Sequence, residues 1–89
     1  MEARLIQRHV RLDGRRILEV GCGDGRLTRE FAPRAASVVA IEPDASAVKV
    51  ARRLTAAEGI TNVSFRVGSA ERVRLGTDPF ELVLFSWSL

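Results

Sequence analysis

The chain has 89 residues, so it fits one small domain that removes only about 60 to 65% of its unfolded surface from water, and its core must be thin. Apolar residues make up 46% and charged residues 28%, which is typical of a globular protein and excludes a disordered chain. The apolar runs are far shorter than the roughly 18 residues of a membrane helix, and the opening segment lacks the continuous apolar stretch of a secretory signal, so we expect a cytoplasmic protein without a membrane partner.

The net charge is +3, and thirteen of the fourteen basic residues are arginine, which raises the question of a nucleic-acid partner. The arginines are spread from Arg4 to Arg74, and several lie next to an acid, as Arg29 does beside Glu30. They form no stripe with interleaved aromatic residues. Scattered basic residues are usually a solvated surface, so nucleic acid is the less favoured partner, although charge alone leaves it open.

Helical and strand-like segments alternate along the chain, beginning with a helix. Residues 1–12 place apolar side chains at mixed three- and four-residue spacings, which predicts an amphipathic helix that ends at Asp13-Gly14. The short apolar run Arg16–Val20 contains β-branched residues and is bounded by turn residues, which predicts a first strand buried on both faces. A second helix begins near Leu27 and ends at Pro33, because proline cannot continue a helix.

The middle of the chain predicts a second strand and a longer helix. Ser37–Ile41 is another apolar, β-branched run, and Asp44 after it is a good N-cap for the helix that follows. Gly59 is placed to end this helix, since glycine readily adopts the left-handed conformation just after a helix C-terminus. We expect this helix to turn one apolar face toward the sheet, formed by Ala47, Val50, Ala51 and Leu54.

The last third of the chain predicts two more strands, at Asn62–Val67 and Phe80–Phe85, with a short turn or helix at Ser69–Arg74 between them. Strands that alternate with helices imply right-handed crossovers and a parallel sheet covered on both faces. We therefore predict a single α/β domain over residues 1–89, with a doubly wound sheet of four parallel strands. Sheets of this kind bind ligands beyond the carboxyl ends of their strands.

A glycine-rich loop follows the first strand. In Gly21-Cys22-Gly23-Asp24-Gly25, glycine at every second position permits a tight turn and lets a ligand approach the backbone. The nicotinamide fingerprint is GxGxxG with a pyrophosphate on a helix N-terminus, whereas this loop is GxGxG and is preceded by the acid Glu19. An acid there suits a ligand with a cationic amino group and a sulfonium better than a dianion. A nicotinamide-binding protein is therefore a less favoured alternative.

The segment Ile17–Gly25 resembles the first motif of class I, Rossmann-like, S-adenosylmethionine-dependent methyltransferases, and it matches that motif at the acid and at all three glycines. Three later segments resemble further motifs in the same order: Val39–Pro43 the second-strand motif, Val67–Glu71 the adenine-contacting segment, and Phe80–Phe85 the fourth strand. The resemblance implies that S-adenosylmethionine is the cofactor and that Glu42 accepts hydrogen bonds from both ribose hydroxyls. The implied cofactor-binding residues are Glu19, Gly21, Cys22, Gly23, Gly25, Glu42, Pro43, Ser69, Ala70, Glu71 and Ser86.

The resemblance also implies the strand order 3-2-1-4, within a family sheet of seven strands that this chain would represent in C-terminally truncated form. The fourth strand would then be an exposed apolar edge at Val83–Phe85, which could pair with a second copy or with another chain. The family activity is methyl transfer, and we expect a small-molecule acceptor, with RNA as the lesser option. No catalytic residue and no metal ligand are predicted, and the alternative is a fragment that binds cofactor or a partner without catalysis.

Each candidate residue also has a plainer interpretation. Glu19 could be an ordinary strand-end acid, although a buried strand rarely tolerates an unpaired carboxylate. Glu42 could extend the negative charge that Asp44 places at a helix N-terminus. Cys22, the single cysteine, has no disulfide partner and no metal-ligand spacing, and its acidic neighbours would raise the pKa of its thiol, so we expect a packing residue. Asp24 could simply cap the helix that follows.

Two positions depart from the family pattern. Ser69 stands where an acid commonly accepts from the adenine amino group, so it could accept the same hydrogen bond but without a charge. Glu81 stands where the fourth strand usually has aspartate, and we expect this longer acid to matter only to packing. The first departure predicts a lower affinity for the cofactor.

Overall fold

Four short apolar segments form one parallel sheet in the computed structural model, which describes residues 12–69 and 80–86. The strands lie in the order third, second, first, fourth, and all three neighbouring pairs are parallel, which confirms the predicted topology. The strands are β1 Arg16–Val20, β2 Ser37–Glu42, β3 Val63–Val67 and β4 Leu82–Phe85; the helices are α1 Arg26–Phe31 and α2 Ala45–Ala57, with a 3₁₀ turn at Ala32–Arg34.

The central strand β1 is covered on both faces. Its three middle residues, Ile17, Leu18 and Glu19, are all buried, although their side chains alternate between the two faces of the sheet. In the register of the sheet, Glu19 lies between Ala40 of β2 and Leu84 of β4. The prediction of a strand buried on both sides is therefore confirmed, and it brings a carboxylate into the interior with the apolar residues.

The core lies between the sheet and the two helices, and α2 contacts it with a face that differs in part from the predicted one. The buried residues of α2 are Val48, Ala51 and Thr55, whereas the neighbouring apolar residues are only half-buried. The predicted face lay about one residue too early in the chain, because the prediction left out Val48 and Thr55, which are both buried. The core cluster contains Leu12, Ile17, Cys22, Phe31, Ala32, Val38, Ala40, Val48, Ala51, Phe65 and Leu84.

Both ends of α2 form as the sequence predicts. The side chain of Asp44 accepts hydrogen bonds from the backbone N–H groups of Ser46 and Ala47, at 2.9 and 3.3 Å. At the other end Gly59 has a φ of +73°, and the N–H of Ile60 donates back to the carbonyl of Thr55 at 3.1 Å. This left-handed closure satisfies carbonyl groups that the helix would leave without partners.

The third and fourth strands begin one and two residues later than predicted, because polar side chains make other contacts there. The amide of Asn62 donates to the carbonyls of Ala32 and Ala35, at 2.7 and 3.0 Å. The carboxylate of Glu81 accepts from the N–H of Arg16 at 3.1 Å and lies 3.7 Å from its guanidinium. The expectation that Glu81 matters only to packing is therefore wrong: its carboxylate joins the start of β4 to the start of β1.

At the edge of the sheet, β4 presents apolar side chains to solvent. Val83 and Phe85 are 45% and 46% exposed, and within residues 12–69 and 80–86 no strand lies on the outer side of β4. The predicted helix over residues 1–12 falls outside the described residues apart from its last residue, as does the predicted turn at Ser69–Arg74 apart from its first. In the described part, no helix is long and apolar enough to cross a bilayer.

Candidate functional site

The carboxyl ends of the four strands bring the sequence-predicted residues to one edge of the sheet. Backbone hydrogen bonds fix the segments there. The N–H of Gly21 donates to the carbonyl of Ile41 at 2.9 Å, and the N–H of Gly68 donates to the backbone carbonyl of Glu42 at 3.0 Å. The N–H of Ser86 donates to the carbonyl of Val20 at 2.9 Å. The glycine loop therefore lies between the ends of β2 and β4, at the edge where parallel sheets bind ligands.

The glycine loop has a backbone that only glycine adopts easily. Gly21, Gly23 and Gly25 have φ values of +80°, +56° and +79°. A Cβ built on Gly25 would lie 3.1 Å from the Cβ of Ala51, so this glycine lets the loop pack closely against α2. A Cβ built on Gly23 would meet no atom of residues 12–69 and 80–86 within 4 Å, so in this part of the chain the loop presents an open backbone surface on its other side.

Glu42 ends β2 with a carboxylate that is held from two directions. Its Oε1 accepts from the N–H of Gly23 at 2.8 Å, and its Oε2 accepts from the N–H of Asp44 at 3.0 Å. Each carboxylate oxygen has a second lone pair, so both can still accept a hydrogen bond from a ligand. A half-buried, pre-oriented pair of acceptors beside an open glycine fits the two hydroxyls of a ribose.

Glu19 lies below the loop and is completely buried. The hydroxyl of Thr28 on α1 donates to its Oε1, and the hydroxyl of Ser86 after β4 donates to its Oε2. Burial raises the pKa of this carboxyl above its ordinary value, while the hydrogen bonds from Ser86 and Thr28 act in the opposite direction. Because its side chain is completely buried, Glu19 can act on a cationic ligand through its charge but not by direct contact in this conformation.

Cys22 is buried inside the loop and is unsuited to act as a nucleophile. Burial, the largest cause, and the charges of Glu19, Glu42 and Asp24 together raise the pKa of its thiol to about 12. The direction confirms the prediction made from the acidic neighbours, although burial is the larger cause and the sequence alone did not indicate Glu42. The thiol therefore stays protonated at neutral pH and acts as a small packing group.

Asp24 and Arg29 fix the far end of the loop. Gly25, not Asp24, is the N-cap residue of α1, so the capping prediction is one residue off; the Asp24 side chain nevertheless accepts from the N–H of Arg26 at 3.2 Å. The guanidinium of Arg29 donates to the carbonyl of Asp24 at 2.8 Å and pairs with Glu58 at 2.9 Å. The first turn of α1 and the end of α2 are thus both tied to the loop.

Not all predicted site residues lie in the described part of the chain. Pro43 is exposed directly after Glu42, and Ser69 is half-buried after β3. Ala70 and Glu71 lie outside the described residues. The predicted residues that the structure does describe occupy the same edge of the sheet.

Sequence reasoning missed Thr28, although it contacts the acid of the first motif. Thr28 and Phe31 are the two buried side chains of α1, three residues apart on one face of the helix. A threonine that shares a face with a core phenylalanine is the signal that could have identified it. Its acceptor is nine residues earlier in the chain, and no local pattern indicates that pairing.

Parallel strands in the order 3-2-1-4, with a GxGxG loop after the central strand and a carboxylate at the end of the next, define a class of protein: the Rossmann-like, S-adenosylmethionine-dependent methyltransferase domain. Comparison with known families agrees with this class. Residues 17–89 match the model of the methyltransferase domain family, and the chain belongs to that family.

Relatives and solved structures with the same fold are longer than this chain. The ubiquinone biosynthesis O-methyltransferase of Rhizobium etli is 34% identical over 73 residues, which are 82% of this chain and 29% of that protein. The chain thus spans less than a third of the length of this relative.

Two crystal structures illustrate the likeness in fold. An S-adenosylmethionine-dependent methyltransferase from Aquifex aeolicus has a TM-score of 0.81 at 17% identity, covering 92% of this chain and 45% of that one. Phosphoethanolamine N-methyltransferase 1 of Haemonchus contortus, in complex with phosphoethanolamine and S-adenosylhomocysteine, has a TM-score of 0.82 at 22% identity. That match covers 97% of this chain and 18% of the other. At these identities the likeness concerns the fold.

Proposed function

We propose that this chain binds S-adenosylmethionine across the carboxyl ends of β1, β2 and β3 and forms the cofactor-binding part of a methyltransferase that acts on a small molecule in the cytoplasm. The observation that carries the proposal is the carboxylate of Glu42, which two backbone N–H groups hold beside the open side of Gly23. We favour a hydroxyl group of the small molecule as the methyl acceptor, because the relative from Rhizobium etli is an O-methyltransferase.

Each part of the cofactor has a counterpart among the residues at this edge. Glu42 would accept from the two ribose hydroxyls, and the backbone at Gly21 and Gly23 allows the ligand to approach closely. Ser69 would accept from the adenine amino group without adding charge. Glu19 would favour the ammonium group from below the loop, since an opposite charge in a buried setting acts more strongly than in water.

S-adenosylmethionine supplies a methyl group that its sulfonium activates for attack by a nucleophile. The part played by this chain is then to hold that group in a fixed orientation and to keep water away from it. Glu42 fixes the ribose, and the rigid loop fixes the segment that follows. The methyl acceptor belongs to the substrate, and a group that accepts its proton would lie where the enzyme recognises that substrate.

The test is a calorimetric titration of S-adenosylhomocysteine into the purified chain and into its Glu42→Ala variant. We expect saturable binding by the unchanged chain and a loss of about tenfold or more in affinity in the variant, because two hydrogen bonds to a charged acceptor disappear. Glu30→Ala is the matched control, since Glu30 is an exposed glutamate on α1 away from the loop. A folded chain that binds nothing, or equal affinities for all three proteins, would exclude this cofactor site.

The apolar edge at β4 supports a second candidate function, a fragment that pairs with a partner or with itself without catalysing a reaction. Val83 and Phe85 are nearly half-exposed there, and exposed apolar edge strands commonly associate. The molecular mass in solution, measured by sedimentation over a range of concentrations, separates a monomer from a dimer paired at this edge. A monomer at all concentrations would argue against self-association.

A further inference from the structure

The buried carboxylate of Glu19 has no cation beside it among residues 12–69 and 80–86. The ion pairs described there join Arg16 to Glu81, Arg29 to Glu58 and Arg34 to Asp13, and none of them includes Glu19. An ionised carboxylate taken out of water is costly unless it is paired or hydrogen-bonded. Two neutral hydroxyl groups stabilise it only in part, so the site has negative charge that the described protein groups do not neutralise.

The two hydroxyls that reach Glu19 come from elements far apart in the chain. Thr28 lies on the buried face of α1, and Ser86 lies at the carboxyl end of β4, 67 residues away from Glu19. An ionised carboxylate can only accept hydrogen bonds, so both hydroxyls must donate to it. Hydrogen bonds donated to a charged group favour the charged form over the neutral one.

A second observation indicates negative potential at the same place. The thiol of Cys22, in the middle of the glycine loop, experiences the charges of Glu19, Glu42 and Asp24, and all three raise its pKa. Glu42 accepts from the N–H of Gly23 at 2.8 Å and Asp24 belongs to the loop itself, so three carboxylates lie within or next to the loop. A ligand above this loop gains free energy if it carries a positive charge.

We propose that Thr28 and Ser86 are positioning residues, whose hydroxyl groups keep the buried carboxylate of Glu19 charged and fixed so that the loop selects ligands with a cationic amino group. The inference rests on the proposed function, and it assigns to Thr28 a part in cofactor recognition that the motifs do not give it. Ser86 then acts through Glu19 and not by its own contact with the ligand.

The test compares two ligands that share a nucleoside and a thioether but differ in the amino-acid group. S-adenosylhomocysteine carries the ammonium group, and 5′-methylthioadenosine lacks it. In Thr28→Val and in Ser86→Ala we expect the affinity for S-adenosylhomocysteine to fall about tenfold, because one hydrogen bond to a charged group is lost. The affinity for 5′-methylthioadenosine should change less than about twofold, since its recognition depends on Glu42 and the loop backbone.

The chain offers matched controls for both variants. Thr55 is a buried threonine on α2 whose hydroxyl has no hydrogen-bond partner among the described residues, so Thr55→Val makes the same chemical change without touching Glu19. Ser64 is an exposed serine on β3, and Ser64→Ala serves as the control for Ser86→Ala. Thr28→Ser keeps the hydroxyl and should restore most of the affinity for S-adenosylhomocysteine.

The outcomes separate this inference from the proposed function. A selective loss for S-adenosylhomocysteine, with rescue by Thr28→Ser, supports the positioning role. Equal losses for the two ligands would mean that Thr28 and Ser86 only support the fold, and unchanged affinities would mean that they have no role in binding; either result overturns the inference while the cofactor site stands. If the unchanged chain binds neither ligand, the proposed function itself fails. Circular dichroism checks folding, and Ser86→Ala decides the question if Thr28→Val does not fold.

Discussion

At the scale of single residues, the chain keeps a carboxylate where a core residue would be more stable. Glu19 is as buried as Ile17 and Val38, yet it faces two hydroxyls and no described cation. Replacing a buried charged group by a neutral one of similar shape is often neutral or stabilising. The position is therefore better suited to acting on a ligand than to holding the fold together.

Stability should depend on pH through Glu19. Because burial raises the pKa of this carboxyl, the folded chain holds a proton over a pH range in which the unfolded chain has released it. The free energy of unfolding therefore falls as the pH rises from about 4.3, the ordinary glutamate value, through the raised pKa, and it stays lower above that.

The variant Glu19→Gln isolates this contribution, because an amide bears no charge and can still accept from or donate to both hydroxyls. We expect the variant to unfold at a higher urea concentration than the unchanged chain at pH 7, with a smaller difference at pH 4. Urea titrations at the two pH values provide the measurement, and Glu30→Gln on the exposed side of α1 is the control. A variant less stable at pH 7 would contradict the assignment of Glu19 as a destabilising charge.

At the scale of elements, the loop and the two helices depend on close contact at one glycine. Gly25 has a φ of +79°, and a Cβ built on it would lie 3.1 Å from the Cβ of Ala51. Gly14 has a similar φ of +67°, but a Cβ built on it would meet no atom of the described part of the chain within 4 Å. The two glycines therefore separate the cost of a left-handed backbone from the cost of crowding between the loop and α2.

We expect Gly14→Ala to lower the free energy of unfolding by about 1 to 2 kcal/mol, the cost of placing an L-residue in the left-handed region. Gly25→Ala should lower it by more, because α2 must also move away from the loop. Urea unfolding of the two variants measures both losses. Equal losses would mean that α2 yields freely at this contact, and the variant should then still bind S-adenosylhomocysteine.

Elements were predictable wherever local chemistry decides the structure. β1 begins and ends at the predicted residues, because a β-branched run between turn residues leaves little choice. Asp44 bounds α2 through its side chain, and Gly59 bounds it through its positive φ. The start of β4 was not predictable, since the contact of Glu81 with Arg16 joins residues 65 positions apart.

The candidate site shows the same division between local and distant contacts. The edge of the sheet that carries it follows from the parallel topology, but the hydroxyls around Glu19 come from two other elements and leave no periodic signal in the sequence.

At the scale of the whole molecule, the described sheet ends in a strand that presents apolar side chains to solvent. Val83 and Phe85 of β4 lie on the face opposite to Leu84, which belongs to the core. On the other edge of the sheet, Val67 of β3 is also 47% exposed. Val83 on one edge strand and Val67 on the other are therefore valines of similar exposure, which makes them suitable for comparison.

We expect the chain to self-associate at high concentration through β4, and Val83→Glu to reduce this association because it places a charge on the pairing surface. Val67→Glu introduces the same charge on β3 and should leave the association unchanged. Sedimentation equilibrium of the three proteins measures the dissociation constant. Equal effects of the two substitutions would point to non-specific association of apolar surface.

Glu42 links two segments that are distant in the sequence. Its Oε1 accepts from the N–H of Gly23 in the glycine loop, and its Oε2 accepts from the N–H of Asp44, the N-cap of α2. A ribose bound to this carboxylate would therefore restrict the thermal motion of both segments at once. Because both are already ordered around the carboxylate, little conformational entropy remains to be lost when the ligand arrives. More of the interaction free energy of the ribose hydroxyls with Glu42 would then remain as binding affinity.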